Sequence, residues 1–462
     1  MHVARCLRRA ACVCLPALAF LHAFAAGSDP ELVPTVVAML ADADPEVRAI
    51  ALDRVRHGAK GEAATSQFAG TIAKLPAAQQ VALVGALAER GDSAAVPAIT
   101  ALLLAAKEPA VRVASIRAIG ALGSAGETPI LIRSLSAGDP DRSAARFALT
   151  ALRGDGATKQ IVEAARLSAP GLRPVFLDIL VDRRARSALP DFVAMAVDAD
   201  AGVRQAAMRA LGKLGGPEQV DGLVKGLLAT PAGEERAAAE RAVVAVCTQN
   251  PGKEKAAAAF LSRFEASPEA DRESLLPTLG RVGGPGALAI IDRLVADADS
   301  AKRQFGLKAL TRWPDATVAD RILGLLGKSQ DAAEREMLLA ALIRIAPLPD
   351  NKLSDQQKLA LLKKTMGLCQ KNEDRARVLE RANAIRTIET FRFVLPYLDD
   401  PALAEPACKS VVELAHHQKL RDSSKDEFAK ALDKVISLTK DAELVERANR
   451  YKEGKTWERK KG

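Results

Sequence analysis

The sequence predicts an all-α protein, an α–α superhelix or solenoid of about twelve helical hairpins. Three observations lead to this prediction: a phrase of sequence that returns along the chain, a regular spacing between its copies, and a low aromatic content, 3% of 462 residues. No run of residues is typical of a β-strand. Helices stacked in thin layers pack with Ala, Leu, Val and Ile, which this chain supplies in quantity.

The clearest copy of the phrase is DADAGVRQAAMRALGKLGG, residues 198–216. Its apolar residues recur three and four positions apart, which predicts a helix over 201–214 with one apolar face. Asp200 precedes this helix as an N-cap, and we expect Gly215 to end it in the left-handed conformation. In other copies an acidic residue followed by proline takes the place of Asp200. These pairs are Asp44–Pro45, Glu108–Pro109, Asp139–Pro140 and Asp400–Pro401.

Another helix is predicted ahead of each copy, and the copies recur at multiples of roughly 31–33 residues. The repeating unit is therefore a hairpin of two helices followed by a break. A single hairpin cannot bury its apolar face, whereas stacked hairpins bury a continuous core. The preceding helices are predicted at 32–40, 96–105, 128–135 and 189–198.

The copies share an Asp-x-x-Val-Arg-x-x-Ala-x-x-Ala-Leu-Gly line, seen from Asp200 to Gly212 and again, in part, from Val111 to Gly123. This line resembles HEAT repeats, in particular the short HEAT-like repeats of phycobilisome lyases. The resemblance implies a protein-binding scaffold, and it implies that the Asp and Arg of the line form bonds within and between repeats. The positions that take this structural role are Asp44, Arg48, Arg112, Asp200, Arg204 and Arg303.

The first 25 residues have the form of a secretory signal peptide. Arg5, Arg8 and Arg9 precede a short apolar run that ends in Ala23-Phe24-Ala25, as cleaved signals do. We therefore expect an exported protein, periplasmic or extracellular, although an uncleaved anchor is the alternative. After the signal, residues 26–350 are predicted as the repeat solenoid. Residues 351–462 are predicted as further helical repeats with a C-terminal cap and a basic tail, and no later segment predicts a transmembrane span.

The charge distribution argues against nucleic-acid binding. Residues 26–351 carry 39 basic and 39 acidic side chains, whereas 352–462 carry 24 and 18. Nucleic-acid binders usually combine a basic stripe with stacking aromatic residues, and this pattern shows neither. The partners we expect are proteins.

Motifs that suggest chemistry are incomplete. Gly324–Ser329 ends like a phosphate-binding loop but has Ile322 where that loop needs glycine. Glu413 and His416 have the spacing of a di-iron ligand pair, but the His-Glu pairs of HEAT-like iron hydroxylases do not occur. We therefore predict no catalytic residue, metal site or cofactor.

Three cysteines follow the signal peptide, at positions 247, 369 and 408. They are too few and too scattered for a disulfide framework. We interpret them as small buried apolar residues. A bridge between Cys369 and Cys408 stays open.

One column of basic residues is a candidate partner-facing surface. Arg117, Arg209 and Lys308 each stand five residues beyond the arginine of the repeat line, in the second helix of a hairpin. Equivalent positions align along a solenoid, and the second helices of HEAT units line one wall. The prediction is therefore an exported, non-catalytic protein-binding or assembly scaffold. The alternative is a lyase-like enzyme or enzyme subunit related to the phycobilisome lyases.

Overall fold

The computed structural model describes residues 32–349 and 352–457, and these ranges contain 27 α-helices and no strand. The predicted all-α fold class is confirmed. The chain divides into two compact units, residues 1–246 (unit 1) and residues 247–462 (unit 2). The predicted signal peptide, 1–25, lies outside the described residues, and the division predicted between 350 and 351 stays a prediction. Within the described ranges no helix is both long and apolar enough to cross a membrane.

Unit 1 is a row of hairpins, each made of a first helix and a second helix. In chain order the pairs are α1 Leu32–Leu40 with α2 Pro45–His57, α3 Glu62–Ala69 with α4 Ala77–Arg90, α5 Val96–Ala105 with α6 Pro109–Leu122, α7 Thr128–Leu135 with α8 Asp141–Ala151, α9 Asp155–Leu167 with α10 Arg173–Asp182, α11 Leu189–Met195 with α12 Ala201–Leu214, and α13 Val220–Ala229 with α14 Glu234–Thr248. The division between the units falls in the last turn of α14.

Unit 2 is likewise made of helical hairpins. Its helices are α15 Lys253–Glu265 with α16 Glu269–Val282, α17 Pro285–Val295 with α18 Ser300–Leu310, α19 Ala319–Lys328 with α20 Ala332–Ile345, α21 Asp355–Leu368 with α22 Asn372–Ala382, α23 Ile388–Val394 with α24 Ala404–His416, and the short α25 Gln418–Ser423 ahead of α26 Lys425–Leu438 and α27 Ala442–Lys452. Near its C-terminal end the rings of Phe391 and Phe428 stack with centroids 3.9 Å apart, and Tyr451 is buried.

Sequence and structure agree closely on the hairpin that ends at residue 214. The helix predicted over 201–214 is α12, and Asp200 Oδ1 accepts a hydrogen bond from Val203 N–H at 3.0 Å. The predicted apolar face includes five residues that are at most 1% exposed, Val203, Ala206, Ala207, Ala210 and Leu211. Leu214, at the end of this face, is half-buried. The apolar period therefore identified the buried face correctly.

In the first six hairpins, the second helices of neighbouring hairpins pack side by side, and each also packs on its own first helix. In unit 1 this row runs through α2, α4, α6, α8, α10 and α12. Glycine allows some of these helices to approach closely. A Cβ added to Gly120 of α6 would lie 2.5 Å from Ala148 Cα of α8, and one added to Gly280 of α16 would lie 2.1 Å from Ala309 O of α18.

Three local predictions differ from the structure. Gly215 is extended (φ −67°, ψ 163°) rather than left-handed. A Cβ at this position would lie 2.5 Å from Leu211 O, so the lack of room for a side chain favours glycine. Helix α24 begins three residues after Pro401, because the Asp400 carboxylate accepts from Ala402 N–H in a preceding turn. Helix α8 begins just after Pro140, whose peptide bond with Asp139 is cis.

Candidate functional site

The arginine of the repeat line binds the turn of its own hairpin. Arg48 Nη1 donates to the carbonyl oxygens of Asp42 and Ala43 at 2.7 and 2.6 Å. Arg112 Nη1 donates in the same way to Lys107 O at 2.6 Å. Each guanidinium thus satisfies carbonyl groups at the point where the chain passes from the first helix to the second.

Two of these arginines also bridge to the next second helix. Arg112 Nε lies 2.6 Å from Asp141 Oδ2 at the start of α8. Arg204 forms a two-pronged pair with Glu235 of α14, at 2.8 and 3.1 Å. The hydrogen bond to Glu235 is the largest of the effects that raise the pKa of Arg204. A paired guanidinium of this kind fixes the register between neighbouring helices.

The remaining structural positions lie at helix starts. Asp44 Oδ1 accepts from Glu46 N–H at 2.8 Å, as an N-cap does. Arg303 is half-buried in the first turn of α18, and its backbone N–H donates to Asp299 O at 3.0 Å. The Arg303 side chain forms no hydrogen bond to the other residues that the structure describes, so it differs from Arg48, Arg112 and Arg204.

Sequence reasoning missed a second set of arginines, which tie a second helix to the one before it. Arg90, at the end of α4, donates through Nη1 to Val55 O and Gly58 O of the previous hairpin, both at 2.7 Å. Arg183 and Arg344 make the same kind of bond near the ends of α10 and α20. Desolvation lowers the pKa of all three. The only signal in the sequence was an arginine near the end of a second helix. Exposed arginines give the same signal, so it does not identify the arginines that bind the preceding hairpin.

A row of charges crosses four consecutive second helices of unit 1. Arg112 and Asp141, which are in contact, are 29 residues apart, and the same offset brings Arg117 of α6 level with Arg146 of α8. Arg146 Nη2 lies 3.8 Å from Asp178 of α10, and Asp178 lies 3.6 Å from Arg209 of α12. These four residues, Arg117, Arg146, Asp178 and Arg209, are called the central row below.

The central row is a surface network rather than a stabilising core. The side chains of Arg146 and Arg209 are 46% and 53% exposed, and ion pairs at such exposure contribute about 0–1 kcal/mol. Asp182, 3.7 Å from Arg146, extends the network. The carboxylates of Asp178 and Asp182 hold the guanidinium groups of Arg146 and Arg209 in place. The second-helix face of unit 1 therefore presents ordered charges to solvent.

Phe147 stands beside Arg146 on the solvent-facing side of α8. It is 68% exposed, while its helix neighbours Ala148 and Leu149 are fully buried. Aromatic residues make up only 3% of this chain, so an exposed aromatic side chain is unusual here. Aromatic and arginine side chains are the residue types that dominate binding energy in protein interfaces.

Of the three predicted partner-facing residues, two lie in unit 1 and one lies in unit 2. Arg117 and Arg209 lie on the second-helix face of unit 1, whereas Lys308 lies in unit 2, exposed on α18. The sequence pattern did not distinguish among these three residues, because they hold equivalent positions in the repeat. It missed Arg146 and Phe147, which stand between Arg117 and Arg209, because α8 departs from the repeat line.

Residues that resembled chemical motifs have structural partners. Glu413 lies 2.7 Å from Arg447 Nη1, and His416 Nδ1 lies 2.9 Å from the hydroxyl of the buried Tyr451. Trp313 is buried, and its Nε1–H donates to Thr317 Oγ1 at 3.0 Å.

All three described cysteines are buried free thiols. Burial raises the pKa of Cys247 to about 12 and the pKa values of Cys369 and Cys408 to about 11. A high thiol pKa suits a packing residue and opposes a nucleophilic role.

Residues 72–150 and 158–244 match the family model of HEAT repeats. Both stretches lie in unit 1, from the segment before α4 to α14, so this part of the chain contains HEAT repeats. The resemblance to HEAT repeats is confirmed there, while the phycobilisome-lyase subtype stays a prediction. No curated protein matches the chain.

Several solved structures align with this chain. The structure of Kap121p bound to Nup53p has 13% identity and a TM-score of 0.47, covering 94% of this chain and 54% of that one. The complex of Kap95p with RanGDP has 15% identity and a TM-score of 0.41, covering 95% and 58%. Human deoxyhypusine hydroxylase has 21% identity and a TM-score of 0.24, covering 61% and 96%. The chain thus spans about half the length of the Kap121p chain it matches.

Proposed function

We propose that the protein is a non-catalytic scaffold that binds a protein partner through the second-helix face of unit 1. The observation that carries this proposal is Phe147, two-thirds exposed on α8 next to Arg146 of the central row. Burying this ring under a partner removes apolar area from water. Arg117, with no ion pair among the described residues, is a cation available to a partner carboxylate.

The proposal includes export. Its support is the basic start, the apolar run and the Ala-Phe-Ala site of residues 1–25, which are typical of secretory signals. The partner would then be another exported or envelope protein. Cell fractionation of a C-terminally tagged full-length chain tests this part, and recovery of uncleaved protein in the cytosol would contradict it.

The binding experiment is crosslinked affinity capture of tagged residues 26–462 from the native host, followed by mass spectrometry. The test variant is Phe147→Ala combined with Arg117→Glu. The matched control is Leu167→Ala, which removes a 79% exposed apolar side chain from α9, a first helix of the same unit.

The expected result is a stoichiometric partner with the wild-type chain and with the control. For a ring that acts as an interface hot spot, the test variant should bind that partner about 30-fold more weakly. Far-UV circular dichroism checks that both variants fold. Equal recovery with both variants would place the interface elsewhere, and recovery of the bait alone would oppose a scaffold.

A further inference from the structure

Unit 2 contains a groove of about 540 Å³ between two neighbouring hairpins, α15–α16 and α17–α18. Pockets that bind small molecules have volumes of about 300–1,000 Å³ and an apolar lining with a few polar groups. The lining of this groove, called the unit 2 groove below, has both features. Its apolar residues are Phe264, Leu276, Ile290, Leu294 and Phe305.

The unit 2 groove lies beside a close contact between α16 and α18. Near the C-terminal ends of these two helices, a Cβ added to Gly280 would lie 2.1 Å from Ala309 O. Pro277 lies inside α16, three residues before this contact. A proline inside a helix has no N–H to donate and bends the helix. The groove begins directly before Pro277, with Leu276 on α16 and Phe305 on α18.

The floor of the unit 2 groove is apolar. Phe264, Leu276 and Ile290 are 3%, 4% and 9% exposed, whereas Leu294 and Phe305 are half-buried. A ligand that covers the two half-buried side chains removes their remaining apolar area from water, which favours binding. An occupant with large apolar side chains therefore fits this floor.

Seven charged side chains line the rim of the groove, and three of them have partners within the protein. Lys302 Nζ lies 3.6 Å from Glu269. Asp297 Oδ1 accepts a hydrogen bond from Asp299 N–H at 2.9 Å. The other four rim side chains are two cations and two anions.

These four side chains have no partner of opposite charge among the residues that the structure describes. Arg272 of α16 forms no side-chain hydrogen bond there, and Arg293 of α17 donates only from Nε to Ala289 O, at 3.4 Å. Their guanidinium groups keep N–H groups that a ligand carboxylate can accept. The two anions, Glu265 and Glu273, are exposed and can accept from an ammonium group. A ligand with one charge of each sign therefore fits the rim.

The length of the unit 2 groove limits the size of its occupant. On α16 the lining runs from Glu269 to Leu276, and on α17 it runs from Ile290 to Asp297. Each stretch has seven steps of 1.5 Å, a length of about 10 Å. An extended peptide rises about 3.3 Å per residue, so three residues cover the same length. The first and third side chains of such a peptide point to the same side, where both can lie on the floor.

We propose that the unit 2 groove binds a short apolar peptide of about three residues with free ends. Arg272 and Arg293 hold its terminal carboxylate, and Glu265 and Glu273 hold its terminal ammonium group. A segment within a protein chain has neither terminal charge, and a free amino acid fills only about a third of the length. The groove is in unit 2 and does not include Phe147, so it is a binding site beyond the one proposed above.

The test is isothermal titration calorimetry with residues 26–462, which contain every described residue, and the tripeptide Leu-Ala-Leu. The N-acetylated and the C-amidated forms each lack one charge and keep both leucine side chains. We expect each of these changes to weaken binding at least about tenfold, because one pair of charged side chains loses its partner. Equal affinity of the free and blocked forms, or no binding at about 1 mM, would overturn the proposal.

Two double variants assign the ends of the peptide. Arg272→Gln with Arg293→Gln should weaken the free peptide at least about tenfold and the C-amidated peptide less than about twofold, since the amide has no carboxylate to lose. Glu265→Gln with Glu273→Gln should weaken the free peptide equally and spare the N-acetylated one. A variant that weakens the free and the blocked peptides alike would contradict the assigned contacts and the proposal.

The matched control for the arginine variant is Lys255→Gln with Lys364→Gln. It removes two positive charges at exposed positions of unit 2 outside the groove lining. We expect it to change the affinity for Leu-Ala-Leu less than about twofold, because screened charges at a distance contribute little. A loss as large as that of the arginine variant would indicate a general charge effect and would overturn the proposal. If circular dichroism shows a double variant unfolded, the single variants Arg272→Gln and Glu273→Gln replace it.

Three other ligands distinguish a peptide from alternative occupants. Free leucine tests the length, Ser-Ala-Ser tests the apolar floor, and decanoate tests whether any apolar carboxylate suffices. We expect each to bind at least about tenfold more weakly than Leu-Ala-Leu, because each lacks one of the features that the groove matches. Affinity equal to or tighter than that of Leu-Ala-Leu for any of the three would overturn the proposal.

Discussion

Replacing Gly120 by alanine should destabilise the stack at the contact between α6 and α8. The new Cβ would lie 2.5 Å from Ala148 Cα and 2.6 Å from Ala148 Cβ, about 1 Å closer than ordinary van der Waals contact allows. Because both atoms on α8 belong to a short, rigid residue, the helices themselves have to separate. Overpacking of this kind costs about 1–3 kcal/mol, although alanine gains about 1 kcal/mol over glycine in helix propensity.

Gly85 provides the matched control, because it lies inside α4 and a Cβ added there meets no atom within 4 Å. Gly85→Ala should therefore stabilise the protein by the propensity gain alone. The difference between the two variants isolates the clash, and we expect it to be about 1–3 kcal/mol in the free energy of unfolding. Urea unfolding followed by circular dichroism at 222 nm measures it. Equal stability of the two variants would refute the close approach of α6 and α8.

Two other predictions concern the caps and the thiols. Asp200→Ala should lower the free energy of unfolding by about 1 kcal/mol, because Val203 N–H loses its acceptor; Asp200→Asn, another good cap, should lose little, as urea unfolding will show. The thiols of Cys369 and Cys408, with pKa values of about 11, should react with a disulfide reagent at pH 8 at least about 100-fold more slowly in the folded chain than in denaturant, since the buried thiol stays protonated. Rapid reaction of the folded chain would mean that these helices open readily.

The repeat period was enough to predict the fold, because every hairpin has to bury the same kind of face. The helix over 201–214 and its cap Asp200 followed from local rules alone. The same rules failed where the backbone could adopt more than one local conformation. Gly215 is extended and has no room for a side chain beside Leu211 O. Asp400 caps a turn rather than α24.

The proposed binding face was only partly predictable. Arg117 and Arg209 followed from their equivalent positions in the repeat. Phe147 and Arg146 did not, because exposure on α8 depends on which side of the helix its neighbours cover. The bonds of the half-buried Arg90, Arg183 and Arg344 were also hidden, since they depend on carbonyl groups of the preceding hairpin about 30 residues earlier in the chain.

The bonds of these half-buried arginines define where one structural module ends and the next begins. Arg90 belongs to one hairpin by sequence, but its acceptors, Val55 O and Gly58 O, belong to the hairpin before it. A hairpin removed or transplanted at its own turns would leave such a guanidinium half-buried and without its acceptors. The exchangeable segment therefore runs from the end of one second helix to the end of the next. A shortened or lengthened version of this protein joined at those points would keep each arginine with the carbonyl groups that receive it.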